Sequence, residues 1–151
     1  TKRTYVAEGL ALSSGVKAAI TEYYSVNGVW PVTNAEAGLT RGDHITGSSV
    51  SAIWIALGLG AQKGTLVKDV TNIVIYYNQK VIGSSTQAQL GTQPGYIGDA
   101  RQNTIVLAPN VTNSSISSKP TIQWVCRAVD INRIKMRWLP ASCRATIEDN
   151  L

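Results

Sequence analysis

An α+β fold is predicted for this chain: one long N-terminal helix laid over one face of an antiparallel sheet of roughly four strands, with a disulfide-bounded loop near the C-terminus. Three observations predict it. Residues 1 to about 26 hold no proline and repeat apolar side chains at helical spacing. The second half of the chain carries β-branched and aromatic runs bounded by Gly, Pro, Asn and Ser, with no β-α-β alternation between them. The two cysteines, Cys126 and Cys143, enclose sixteen residues, five of them charged.

At 151 residues the chain reads as one domain, 1–151, able to bury its own core. With 44% hydrophobic and 15% charged residues and 13 glycines, it is globular and loop-rich, not disordered. Phenylalanine is absent, so Tyr, Trp, Val, Ile and Leu build the core, a set that favours strands. The formal charge of +5 admits nucleic acid, anionic glycans and acidic lipids as partners, and equally a surface tuned only for solubility. No stretch approaches the roughly 20 apolar residues of a membrane span, and no charged-then-apolar signal segment opens the chain.

In the helix, spanning 1–27, Tyr5, Leu12, Val16, Ile20 and Tyr23 share one face at 3.6 residues per turn. "NGVWP" ends it: Asn27-Gly28 supplies a left-handed C-cap and Pro31 forbids continuation. The start is abrupt, with Thr1 or Thr4 as the only caps and nothing before them to form a staple, which reads as a cut end. A connecting region, 28–69, follows. Within it "TNAEAGL" (33–39) reads as a short helical turn, and "SAIWIALGLG" (51–60) as strand or short helix, inseparable by periodicity. The sheet occupies 70–128, with strands at 70–78, 103–110 and 120–128. A last short strand at 134–139, "IKMRWL", is expected to run back beside the preceding one, tied to it by the cysteines. Residues 83–102 and 110–119 are polar and read as exposed loops.

Catalytic, cofactor and metal constellations are not readable. His44, the one histidine, has Asp43 nearby but no strand-to-helix elbow presenting a nucleophile. "RGD" at 41–43 is a three-residue match expected by chance, and "GLGAQKGT" (58–65) lacks phosphate-loop spacing and reads as a turn. Zinc sites need closely spaced Cys or His pairs and redox dithiols a Cys-x-x-Cys, so Cys126 and Cys143 read as a structural disulfide, against two inert reduced thiols. A loop of this size contributes roughly 3 kcal/mol in the chain-entropy model and implies an oxidising compartment. Arg127, Arg133, Lys135 and Arg137, with Trp138, form the most site-like feature: a cationic, aromatic surface suited to phosphates, bases and sugars. The competing reading is a charged edge that discourages strand-to-strand aggregation.

A long N-terminal helix ending in "NGVWP", an antiparallel sheet, and the closing "TIQWVC…RWLPASC" together resemble the type IVa pilins, the major fimbrial subunits of Gram-negative bacteria, most of all the pseudomonad type. The Trp-x-Cys…Leu-Pro-x-x-Cys ending is the more specific part, and residues 32–102 match only loosely. The family's apolar first half of the helix, with its N-methylated Phe and nearby Glu, has no counterpart here, which fits its removal to leave a soluble domain. The resemblance implies the type IV pilin fold and a subunit anchored in the inner membrane through that helix, held in the periplasm until the pilus assembly machinery stacks it with other pilin subunits. The head domains then face outward in an open helical filament. It further implies that the Cys126–Cys143 loop is exposed on the pilus and attaches to host glycans or abiotic surfaces, and that the filament serves twitching motility, DNA uptake and phage attachment. No enzyme activity and no cofactor are implied. Two other readings stand beside this one: a minor pilin or a secretion-system pseudopilin, whose major kind usually lacks this disulfide and relies on calcium, and a secreted glycan- or DNA-binding module that forms no fibre.

Overall fold

The computed structural model describes residues 2–60, 69–82, 104–110, 122–128 and 134–143. Helix α1 runs Lys2–Asn27 and buries Val6, Gly9, Ser13, Val16 and Ile20, a stripe stepping by three and four residues. Val16 and Ile20 belong to the face expected from the apolar residues, but Gly9 and Ser13, its small members, carry no apolar signal. Their smallness is the point. Tyr77 crosses α1 at Gly9, where a Cβ would collide with its phenol ring, and donates its hydroxyl to the Val6 carbonyl at 2.7 Å. The Ser13 hydroxyl donates to the Leu10 carbonyl within its own helix, so burying it leaves no unmet donor. Gly28 ends α1 in the left-handed region at φ 71°, its amide donating to the Tyr24 carbonyl at 2.8 Å. Among the described residues no helix is long and apolar enough to cross a membrane.

Four strands follow: β1 (Val50–Gly58), β2 (Val70–Tyr77), β3 (Thr104–Pro109) and β4 (Trp124–Ala128), with the short helix α2 (Gln79–Ile82) after β2. They pair antiparallel in the order β1-β2-β3-β4. Period-two alternation then builds two cores. Towards α1 lie the cross-strand rows Ile53–Ile75–Ile105 and Ile55–Ile73–Leu107–Cys126. On the opposite face Ala52, Trp54, Ala56, Val74, Tyr76 and Val106 form a second buried cluster. The 3-10 turn Gly42–His44 packs on the Trp54 ring. Because the sheet is buried on both faces, β2 shows no alternation of polar with apolar residues, and all eight of its residues are buried, Thr71 and Asn72 included.

The segment 51–60, ambiguous between helix and strand, is β1, an edge strand. Its outer edge is met by the Asn34 side chain, which donates to the Ile53 carbonyl at 3.0 Å and accepts from the Ile55 amide at 2.8 Å, as a paired backbone would. Residues 34–38 form turns, as expected of 33–39, with the Ala37 amide donating to the Thr33 carbonyl at 3.2 Å across one helical turn.

One expected strand is corrected. Residues 134–139 add no strand to the sheet; Met136–Trp138 is a 3-10 turn, closed by the Trp138 amide donating to the Lys135 carbonyl at 2.9 Å. Ile134 and Leu139, both fully buried, are five residues apart and point into the same core, which a period of two cannot satisfy. The stretch 83–102, residues 61–65 of the turn at 58–65, and residues 111–119 lie outside the described residues.

Candidate binding surface at the disulfide-bounded loop

Cys126 stands in β4 on the helix-facing side, opposite Leu107. Cys143 ends the 3-10 turn Ala141–Cys143, whose last amide donates to the Pro140 carbonyl at 2.9 Å. The two are bonded, with Cα atoms 4.6 Å apart, and both sulfurs belong to the main core. A buried bridge of this kind is a structural staple. It fixes the far end of the loop against β4, while Ile134 and Leu139 hold its middle.

The candidate residues do not all face one way. Arg127 is corrected: it is 2% exposed. Alternation from Cys126 turns it to the opposite face of the sheet, in the row Trp54–Val74–Val106–Arg127, so it offers nothing to an outside ligand. Arg133 lies outside the described residues. Lys135 and Trp138 are half-buried and Arg137 is exposed, its guanidinium 5.6 Å over the Trp138 ring.

The structure brings two further cations to this place. The Lys2 ammonium donates to the Val81 carbonyl at 2.8 Å and the Lys80 carbonyl at 3.3 Å, and sits 4.7 Å over the Trp138 ring. Lys80 donates to the Ser48 hydroxyl at 2.7 Å and lies 5.7 Å over the Tyr5 ring. Lys2 therefore straps the start of α1 to α2 and to the loop. No sequence signal points to it, since its partners lie 78 to 136 positions away and two of them are main-chain carbonyls. Nearby Glu8 accepts from the Ser49 amide and hydroxyl, both at 2.8 Å, and these hydrogen bonds hold its carboxyl below the usual carboxylate range.

Elsewhere the sequence motifs resolve into local structure. Arg41 and Asp43 pair with each other through two contacts of 3.1 Å, and this pairing, not a splayed display, is what "RGD" forms here. His44 is an exposed residue of the same turn. Among the described residues no group of three or more His, Cys, Asp or Glu side chains stands ready for a metal ion.

The chain is similar in sequence to known proteins. The family model for pilins, proteins of bacterial filaments, matches residues 2–144. The type IV major pilin protein PilE of Neisseria gonorrhoeae is 37% identical over 59 residues, 39% of this chain and 35% of its own length. A fimbrial protein of Neisseria meningitidis serogroup B gives the same figures. The fimbrial protein EcpC of Eikenella corrodens is 28% identical over 142 residues, 94% of this chain and 70% of that one. The matched segment thus spans about a third of the neisserial relatives' length. With the family match running from the first residues of α1 past the Cys126–Cys143 bridge, this chain belongs to the pilin family.

Proposed function

We propose that this chain is the head domain of a type IV pilus subunit that polymerises on the bacterial surface, and that its disulfide-bounded loop carries the cationic surface through which the filament attaches. The observation that carries the reading is the pilin match over 2–144 together with the long α1 and the stapled loop. Arg137 and Lys135, with Arg133 from the same loop, supply charge for phosphate, sulfate or carboxylate groups. Trp138 contributes less as a stacking platform than its type suggests, because Lys2 already lies over its ring; it anchors the cations around it. Host glycans, abiotic surfaces, DNA and phage are the partners of this reading. Twitching motility belongs to it, as do a stage in the inner membrane and periplasm and handling by the pilus assembly machinery.

Filaments sheared from cells that express the full-length subunit test it. Their retention on immobilised heparin and on DNA, normalised to filament protein, is measured across salt concentrations for the parent and for Arg133→Gln/Lys135→Gln/Arg137→Gln. The neutralised loop is expected to flatten the logarithmic salt slope by roughly 2 to 3, one counterion per lost contact at about 0.7 to 0.9 each. An unchanged slope removes the loop as the attachment surface. A subunit that never yields filaments and is instead secreted free ends the pilus reading in favour of a soluble binding module.

A further inference from the structure

Asn27-Gly28 is the one Asn-Gly pair in the sequence, and it closes α1. In such a pair the asparagine side-chain amide stands next to a backbone nitrogen that no side chain crowds, the arrangement that deamidates through a five-membered ring. Its surroundings give water access. Ser25, Val26, Asn27, Gly28 and Val29 are consecutive exposed residues, Val26 at 76% and Val29 at 56%. The run is fastened at both ends. The Tyr24 and Trp30 rings meet with centroids 4.7 Å apart, and the Thr71 hydroxyl donates to the Pro31 carbonyl at 2.6 Å. Residues 25–29 can therefore open as a unit without taking apolar surface out of the core, the condition for local opening at low cost.

While the turn is closed, three restraints keep the pair unreactive. Asn27 has the helical backbone of α1, whereas ring closure needs the Gly28 nitrogen swung towards the Asn27 side chain. The Asn27 side-chain nitrogen donates to the Tyr23 carbonyl at 3.0 Å, which turns the side chain back along the helix. The Gly28 amide proton, which must leave before its nitrogen can attack, is held by the Tyr24 carbonyl at 2.8 Å.

We propose that Asn27-Gly28 is a latched modification site: the last turn of α1 holds it closed, hydrolytic deamidation proceeds only while that turn is open, and the product keeps it open. In the open turn the Gly28 nitrogen gives up its proton and bonds to Asn27 Cγ. The Cγ–Nδ2 bond breaks, and Nδ2 leaves as ammonia with a proton equivalent to the one released. Water then adds to one of the two carbonyls of the succinimide and opens the ring, leaving aspartate or isoaspartate at position 27. Nothing is oxidised, and water is the co-reactant. The new carboxylate cannot donate to Tyr23, and it puts a negative charge at the negative end of α1, where no basic residue stands in the last turn. The inference goes beyond the filament reading and does not depend on it.

Incubation of the folded chain at mildly alkaline pH tests it. A synthetic peptide of residues 21–32 is run in parallel, and conversion at Asn27 is read by mass spectrometry of proteolytic fragments. The folded chain is expected to convert slower than the peptide by about tenfold or more, since only the open fraction reacts. Ser25→Gly and Ser25→Ala both lose the Ser25 hydroxyl bond to the Glu22 carbonyl, so they differ in helix propensity alone. Their folded chains are expected to differ about fivefold in rate, and their peptides to match. Asn27→Asp stands for one product: protection of the Gly28 amide against exchange, normalised to the peptide, is expected to fall about two- to fivefold. Equal conversion in the folded chain and the peptide overturns the proposal, as do equal folded rates for the two Ser25 variants or unchanged Gly28 protection in Asn27→Asp. So does a folded chain, Ser25→Gly included, that shows no conversion while the peptide converts completely, because the site is then sealed.

Discussion

Gly9 and Glu8 are neighbours in sequence with opposite duties. At Gly9 the demand is for nothing at all, because the Tyr77 ring fills the space a side chain needs and is itself fully buried. Gly9→Ala gains about 1 kcal/mol of helix propensity and loses about 1 to 3 kcal/mol to overpacking against a ring that cannot withdraw without breaking its bond to the Val6 carbonyl. The expected net effect is destabilisation by up to about 2 kcal/mol, read as a lower urea midpoint at unchanged slope; a variant more stable than the parent shows that Tyr77 yields more easily than its packing implies. Glu8 is a charge held by hydrogen bonds from Ser49, which lower its folded pKa below the ordinary 4.5. A depressed carboxylate contributes stability that is complete above the unfolded pKa and is lost as pH falls through the folded one. The melting-temperature gap between the parent and Glu8→Gln is therefore expected to be widest near neutrality and to close as pH drops below about 4.5. A gap that stays constant with pH assigns Glu8 a packing role only. Neither role was legible in the sequence: Gly9 is a residue type that predicts loops, and the Ser49 partner lies 41 positions away.

At the scale of elements, legibility followed how local the cause was. The helix and its end were readable because periodicity and the Asn27-Gly28 cap act within a few residues. The strands at 70–78 and 103–110 were readable from composition, since buried β-branched runs have few other uses. The segment 51–60 stayed ambiguous because a strand buried on both faces loses the alternation that identifies it. Residues 134–139 misled for a related reason: β-like composition there serves two separate core anchors, Ile134 and Leu139, around a turn. Of the candidate site, the cysteine pair was legible from its isolation in the sequence. Arg127 was misplaced because a charge one residue from a buried cysteine looks exposed unless the far face of the sheet is known to be covered. The bridge is the element-scale test. Cys126→Ser/Cys143→Ser, which leaves no lone thiol, is expected to lose roughly 3 kcal/mol for a closure between residues 17 apart, lowering the melting temperature. An unchanged melting temperature in the double variant makes the bridge redundant with the anchoring of Ile134 and Leu139.

For the molecule as a whole, the question is whether the loop and the sheet stand or fall together. The core is continuous from α1 through the helix-facing rows of β1, β2 and β3, and the central strand β2 has no exposed residue. Among the described residues the C-terminal part joins this core through the Cys126–Cys143 bridge, the buried Ile134 and Leu139, and the Lys2 strap to Trp138. Only the first is covalent, and only it spans the interval between β4 and Cys143. Reduction thus removes the constraint on the loop while leaving every sheet pairing chemically intact, and regional opening free energies should separate. Amide exchange after mild reduction is expected to accelerate strongly at Trp138 and Cys143, whose amides close the two 3-10 turns, and far less in β2, where opening requires loss of the whole sheet. Adding Lys2→Met is expected to increase the exchange at Trp138 further without moving β2, because the strap then no longer compensates for the missing bridge. Uniform acceleration across β2 and the loop contradicts this division and makes the disulfide a support of the entire fold. Confined acceleration makes it a local clamp that keeps Arg137 and Trp138 in one arrangement on a sheet able to stand without it.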